Sequence, residues 1–213
     1  KILKRSSFEN IYVHNGPLTN NAKTSLDKFG CHVMCRENIG QDFGAWKDII
    51  SLINHSGLDK KLDWILLCND SNFCLGGKNS ELFINKFSKI LNNKEIDFVS
   101  LNINYEESIH YQSYFLCLSK KVLKSYKFKK FWNQYLPISN RFHAIRNGEI
   151  KFSKDVLSFF RHKVIYTSHE LYQEIILNRN EHNKIAVNLP KNSQKLKSYV
   201  NLDKKQTNKF DSK

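Results

Sequence analysis

The run Asp63-Trp64-Ile65-Leu66-Leu67-Cys68, followed at once by Asn69-Asp70-Ser71, decides how the chain is read. Its apolar stretch is unbroken and of strand length, the pattern of a β-strand covered on both faces rather than one with a wet side. The polar triplet then falls just past a buried strand's carboxyl end, where layered α/β proteins collect their ligands.

Working outward, the neighbouring segments alternate in type. Upstream, Cys31-His32-Val33-Met34-Cys35 reads as a strand, and the polar block 36–44 leads into Trp46, Ile49, Ile50 and Ile53, spaced i, i+3, i+4 and i+7 as on an amphipathic helix. Earlier still, residues 10–14 form a short strand stopped by Asn15-Gly16-Pro17, and a linker and short helix separate it from Cys31. Downstream, Gly76-Gly77 turns the chain into a helix spaced by Phe83, Phe87 and Ile90, and residues 97–101 and 114–118 read as strands. A helix runs through Val122, Leu123 and Tyr126, with Phe128, Phe131 and Trp132 as core anchors. Ser153 is placed to cap a helix carrying Val156, Leu157, Phe159 and Phe160, and residues 163–167 supply the last strand. Strand–helix alternation of this kind predicts an α/β sandwich around a mostly parallel sheet, so that the polar segments after residues 35, 68 and 101 converge on one crevice.

Composition agrees. With 213 residues, 40% of them hydrophobic and 13% aromatic, the chain is able to bury a core and is not mainly disordered. Gly 8 and Pro 3 exclude collagen-like and Pro-rich architectures. No apolar run reaches the roughly 18 residues of a membrane-spanning helix. The periodicity fades near residue 181, which divides the chain into a domain over 1–180 and a basic polar appendage over 181–213. The net charge of +14 lies mostly at the ends: +3 over residues 1–5 and +6 over 184–213. A basic end attracts any polyanion, and a lysine-rich tail is also simply well solvated. Nucleic acid is not the expected partner, because the aromatics take core spacing instead of interleaving with Lys and Arg. The five cysteines, Cys31, Cys35, Cys68, Cys74 and Cys117, include no CxxC pair and follow no secretory signal, so reduced thiols and a cytoplasmic location are expected. A zinc site is disfavoured, since i and i+4 on a strand lie about 13 Å apart. The absence of an initial Met reads as a piece of a longer protein.

Several residues carry candidate chemistry. In Arg36-Glu37-Asn38-Ile39-Gly40-Gln41-Asp42-Phe43-Gly44, the glycines allow unusual backbone angles and close approach of a ligand, and N–H groups at a helix start suit a phosphate. Arg36 can pair with a diphosphate and Asp42 with a sugar hydroxyl; equally, Asp42 can cap the helix with Arg36 neutralising it. Asp70 is placed either to hold a divalent cation beside Asn69 and Ser71 or merely to form a turn. His110, Gln112 and Ser113 stand immediately before an apolar strand, where Gln112 and Ser113 can orient a sugar or acceptor and His110 can donate to a phosphate, or where the stretch makes an ordinary surface loop with a half-buried tyrosine. Glu149, with Asp155 six residues on, is the general-base candidate of the second half of the chain.

In this order, Asn15-Gly16-Pro17-Leu18, the block from Arg36 to Gly44 with Lys47, Asn69-Asp70-Ser71, Asp97-Phe98, His110 to Phe115, Phe131-Trp132 and Glu149 resemble the rhamnan synthesis protein F family of bacterial surface-polysaccharide assembly. The resemblance covers about residues 10–170. It implies a GT-A-like, Rossmann-like α/β/α sandwich, here lacking the first strand, that transfers a sugar such as rhamnose from a nucleotide-diphosphosugar to a surface polysaccharide or lipid-linked glycan. On that reading Arg36, Asn38, Gly40, Asp42, Lys47, Asn69, Asp70 and Ser71 bind the donor, and His110, Gln112 and Ser113 bind sugar or acceptor. Glu149 takes the acceptor's proton, with Asp155 as the second choice. Asn69-Asp70-Ser71 stands where many such enzymes carry Asp-x-Asp, leaving Asp70 as the one formal anion for Mg²⁺ or Mn²⁺. A lipid-linked acceptor would bring the basic tail to the inner face of the cell membrane, as a peripheral contact with anionic lipid. A non-catalytic sugar-nucleotide-binding or scaffolding domain is the alternative.

Overall fold

The computed structural model describes residues 8–70, 77–105 and 107–167. The chain divides after Tyr166 into two units, and every described residue except Thr167 belongs to the first. Ser71, Cys74 and the 181–213 appendage lie outside the described residues.

In chain order the elements are β1 (Asn10–Asn15), α1 (Asn20–Lys28), β2 (Cys31–Arg36), α2 (Gln41–His55), a 3₁₀ turn (Leu58–Lys60), β3 (Trp64–Cys68) and α3 (Gly77–Leu91). Then come β4 (Phe98–Ser100), β5 (Ile103–Asn104), β6 (His110–Tyr111), β7 (Phe115–Ser119), α4 (Lys120–Lys124) and α5 (Tyr126–Gln134). Last are α6 (Arg141–His143), a π-helical segment (Ala144–Ile150), α7 (Lys151–Asp155), a second 3₁₀ turn (Leu157–Phe159) and β8 (His162–Val164).

Helices pack on both faces of a four-stranded sheet ordered β3-β7-β4-β8. Alternate residues of β3 serve the two faces, as its unbroken apolar run requires. Ile65 and Leu67 join Phe98, Leu116 and Leu118 against α2, α4, α5 and α7, while Trp64 and Leu66 join Val99 and Cys117 against Phe83 and Phe87 of α3. The Cys117 thiol is held well above its ordinary pKa by burial. Trp46, Ile49, Ile50 and Ile53 are the buried stripe of α2, as their spacing predicts.

The sheet is mixed instead of mostly parallel. β7 runs antiparallel to both β3 and β4, and among the described residues β4–β8 is the one parallel pair of this sheet. The reason lies in the connection: between β4 and β7 the chain forms the small β5–β6 hairpin and no crossover helix, and strands joined without a crossover return antiparallel. β1 and β2, linked by α1, do pair in parallel, but as a separate two-stranded sheet.

Two local expectations also change. The helix expected through Val122 and Tyr126 is two helices, broken at Ser125, whose extended backbone and side chain cap α5 by accepting the Phe128 N–H at 3.2 Å. Ser153 is not a cap: it sits inside α7, where its hydroxyl accepts the Tyr111 N–H at 3.0 Å.

Candidate functional site

Because β3 and β4 run one way and β7 the other, the carboxyl ends of the first two and the amino end of β7 share one edge, with Cys68 opposite Phe115 and Ser100 opposite Leu116. The segments beginning at Asn69, Leu101 and His110 are therefore delivered to one place by sheet register alone.

The turn between β2 and α2 is built from contacts within the protein. Gly40 adopts φ +77°, and a Cβ there would lie 2.5 Å from Pro137 Cβ, so conformation and space both require glycine. Its N–H donates to Ser139 Oγ at 3.1 Å, and that hydroxyl donates to the exposed Asn38's carbonyl at 3.2 Å. The close approach expected of a ligand at Gly40 is thus made by Pro137. At Gly44 it is made by the Ile39 carbonyl, 2.0 Å from where a Cβ would sit. Arg36 points into the same turn. Its Nη1 donates to Asn15 Oδ1 at 2.7 Å, its Nη2 to the Ile39 carbonyl at 2.8 Å, and its Nε to Asp48 Oδ2 at 2.6 Å. Its ion-pair partner is Asp48, not Asp42. Lys47 donates to the Tyr135 carbonyl at 2.5 Å, at the end of α5, where the helix dipole favours a cation.

Asp42 is in the first turn of α2 and does not cap it; the N-cap is Gly40. Its Oδ2 instead accepts from Asn69 Nδ2 at 2.8 Å, joining the β2–α2 turn to the end of β3. The Asn69 N–H donates to the Tyr114 carbonyl at 3.4 Å, which brings in the third segment. The Tyr114 hydroxyl donates to Asn102 Oδ1, past β4. The Tyr114 pKa is raised, chiefly by burial and further by the nearby Glu149 charge.

Glu149 enters this group from the π-helical segment, a helix form that often marks functional sites. Its Oε1 accepts the Ser113 N–H at 3.1 Å and the Ser113 hydroxyl as well. Its Oε2 lies 3.8 Å from Nε2 of the buried His110, whose Nδ1 is 2.8 Å from the Ser108 carbonyl. Gly148 makes this placement possible: it packs so tightly on Phe43 that a Cβ would come within 2.9 Å of the ring. Asp155, by contrast, pairs with Lys151 one turn back on an exposed face. Gln112 is half-buried between Tyr111 and Ser113, and Asp70 is exposed beyond Asn69.

Asp97 serves the opposite end of the sheet. Its buried carboxylate accepts from Lys121 at 3.0 Å and from the Arg161 N–H at 3.0 Å, tying β4 to α4 and β8. Among the described residues no three His, Cys, Asp or Glu side chains gather as a metal cage. No described helix is long and apolar enough to cross a membrane. Sequence reasoning missed Asn102, Tyr114, Ser139 and Gly148. Only Tyr114, lying in the quoted His110-to-Phe115 stretch, carried a signal that pointed to it.

No solved structure matches the chain. It is 26% identical over 146 residues to "Uncharacterized protein y4gN" of Sinorhizobium fredii, a match that covers 68% of this chain and 37% of that protein. The chain therefore spans little more than a third of that relative's length. The sequence model for "Rhamnan synthesis protein F" matches residues 10–192, which takes the match past residue 180. The chain belongs to the rhamnan synthesis protein F family.

Proposed function

We propose that the chain is a glycosyltransferase domain, of hexosyltransferase type, that moves a sugar from a nucleotide-diphosphosugar to a growing bacterial cell-surface glycan. The observation that carries this reading is the meeting of Asp42, Asn69, Tyr114, Ser113 and Glu149, which brings segments from residues 42 to 149 to one edge of the sheet.

In the transfer, the acceptor hydroxyl oxygen attacks the anomeric carbon. The bond from that carbon to the donor's phosphate oxygen breaks, its electron pair leaving with the nucleoside diphosphate. The acceptor's proton passes to Glu149 Oε2, while both Ser113 donors hold Oε1 and fix the carboxylate's direction. His110, facing Oε2, and Gln112 orient the acceptor. Asp42 and the Asn69 side chain take sugar hydroxyls, and the backbone N–H groups that open α2 after Gly40 stabilise the diphosphate. A divalent cation would be held by Asp70 and by the donor's own phosphates and water, the usual mode for Mg²⁺, and would neutralise charge on the leaving group. Arg36 and Lys47 act by holding the turn and α5 in place.

Those two engaged cations also favour a second reading, a sugar-nucleotide-binding or scaffolding domain without turnover. A thermal-shift screen of uridine, guanosine and thymidine diphosphosugars, with and without Mn²⁺, tests both, since a bound donor raises apparent stability. The transferase reading expects one donor to shift melting and release nucleoside diphosphate when acceptor is added. A shift without release supports the second reading, and no shift with any donor contradicts both.

A further inference from the structure

Between Ser108 and Gly148 the chain carries eight Lys and Arg and no Asp or Glu, whereas the rest of residues 6–183 sums to −3. This charge is gathered largely on α4 and α5. Lys120 and Lys121 have carboxylate partners in Asp63 and Asp97. Lys124, Lys127, Lys129 and Lys130 are exposed and have no carboxylate partner among the described residues. The inner faces of the two helices are fixed by buried Val122, Leu123, Phe128, Phe131 and Trp132, so the lysines cannot turn inward.

Apolar groups are exposed beside them. Tyr126 is 76% and Phe159 60% exposed, and Lys127 Nζ stands 3.4 Å over the centre of the Phe159 ring. Past the end of α5, Leu136 and Phe142 are 66% and 70% exposed, and Ile138 between them is exposed as well.

We propose that α4, α5 and the connection through Phe142 form a docking surface for an anionic lipid bilayer. Each lysine held near such a surface favours binding by about fivefold. Tyr and Phe rings beside lysine stems suit the headgroup layer, and Leu, Ile and Phe gain from the boundary with the acyl chains. A phosphodiester backbone would satisfy the lysines but offers nothing to Leu136, Ile138 or Phe142, and this decides for a membrane over a nucleic acid. The inference stands apart from the transferase reading. If both hold, the Pro137–Gly40 contact sets the turn before α2 beside the lipid, within reach of an acceptor anchored there.

The test is vesicle flotation of the full chain with phosphatidylcholine, with and without phosphatidylglycerol. Changing Lys124, Lys127, Lys129 and Lys130 to Gln should weaken binding to the anionic vesicles about a hundredfold or more, and changing all four to Arg should leave it intact. Leu136→Ser with Phe142→Ser should weaken binding while preserving its salt dependence. Melting of each variant is recorded alongside, and the Arg set keeps the test decisive if the Gln set folds poorly. The proposal is overturned if the folded Gln set binds as wild type does. It is overturned equally if neutral vesicles bind as well as anionic ones, if only the lysines of 184–213 matter, or if the same substitutions abolish polyuridylate binding and spare vesicles.

Discussion

The ring of Phe43 rests on the bare Cα of Gly148, leaving no room for a methyl group: a Cβ would lie 2.9 Å from Cδ2. Each partner is the chain neighbour of a site carboxylate, Asp42 on one side and Glu149 on the other. One packing contact in the core therefore sets how far apart two groups of the candidate site stand.

Gly148→Ala should overpack this contact at a cost of about 1–3 kcal/mol. Melting should fall by about 2–4 °C for each kcal/mol. Phe43→Leu in the same chain should restore part of the loss, giving a coupling energy in a double-mutant cycle that two independent sites would not show.

Arg36→Ala should destabilise by about 2–3 kcal/mol, because the Asn15 and Ile39 oxygens lose a charged donor in a partly buried turn. The Asp48 pair adds little, since that carboxylate is 46% exposed. Arg36→Lys should fail to rescue: one ammonium cannot reproduce three bonds made by three guanidinium nitrogens. Urea unfolding of the three proteins checks both statements.

Asn69→Asp would place a second carboxylate where Asn69 Nδ2 now donates to Asp42 at 2.8 Å. The variant should melt lower than wild type in chelator and regain stability when Mn²⁺ is added, as two carboxylates recruit the ion. Identical melting with and without the metal would show that this pair is not placed to share one.

Tyr135→Phe should not harm the fold and should stabilise it by about 1 kcal/mol, because the buried Tyr135 hydroxyl has no hydrogen-bond partner among the described residues. Burial also pushes the Tyr135 pKa up to about 12. The unfolded chain then ionises first, so this group's contribution is whole below the ordinary tyrosine value near 10 and is lost as pH rises toward about 12. Unfolding measured across that window should show a shallower alkaline decline in the variant.

Elements marked by period were legible in the sequence: the stripe from Trp46 to Ile53 and the unbroken run of β3 formed as their spacing predicts. The direction of β7 could also have been reasoned out, since no helical pattern separates Leu101 from Tyr114 and a parallel return needs a crossover. What was not legible depends on distant partners. Arg36 looks like a diphosphate ligand until Asn15, Ile39 and Asp48 are seen around it, and the glycine at position 40 looks like a ligand's seat until Pro137 fills it. Glu149 was the sequence's first choice of general base with Asp155 behind it, but nothing in the sequence showed what either carboxylate touches. Only the fold turns one toward Ser113 and leaves the other paired with Lys151 in solvent.

The most direct measurement is nucleoside diphosphate release from the donor found by thermal shift, comparing wild type with Glu149→Gln in the presence of acceptor. The account predicts that the variant melts with donor as wild type does and loses turnover by about a hundredfold or more, the usual contribution of a positioned base. Turnover equal to wild type would contradict it.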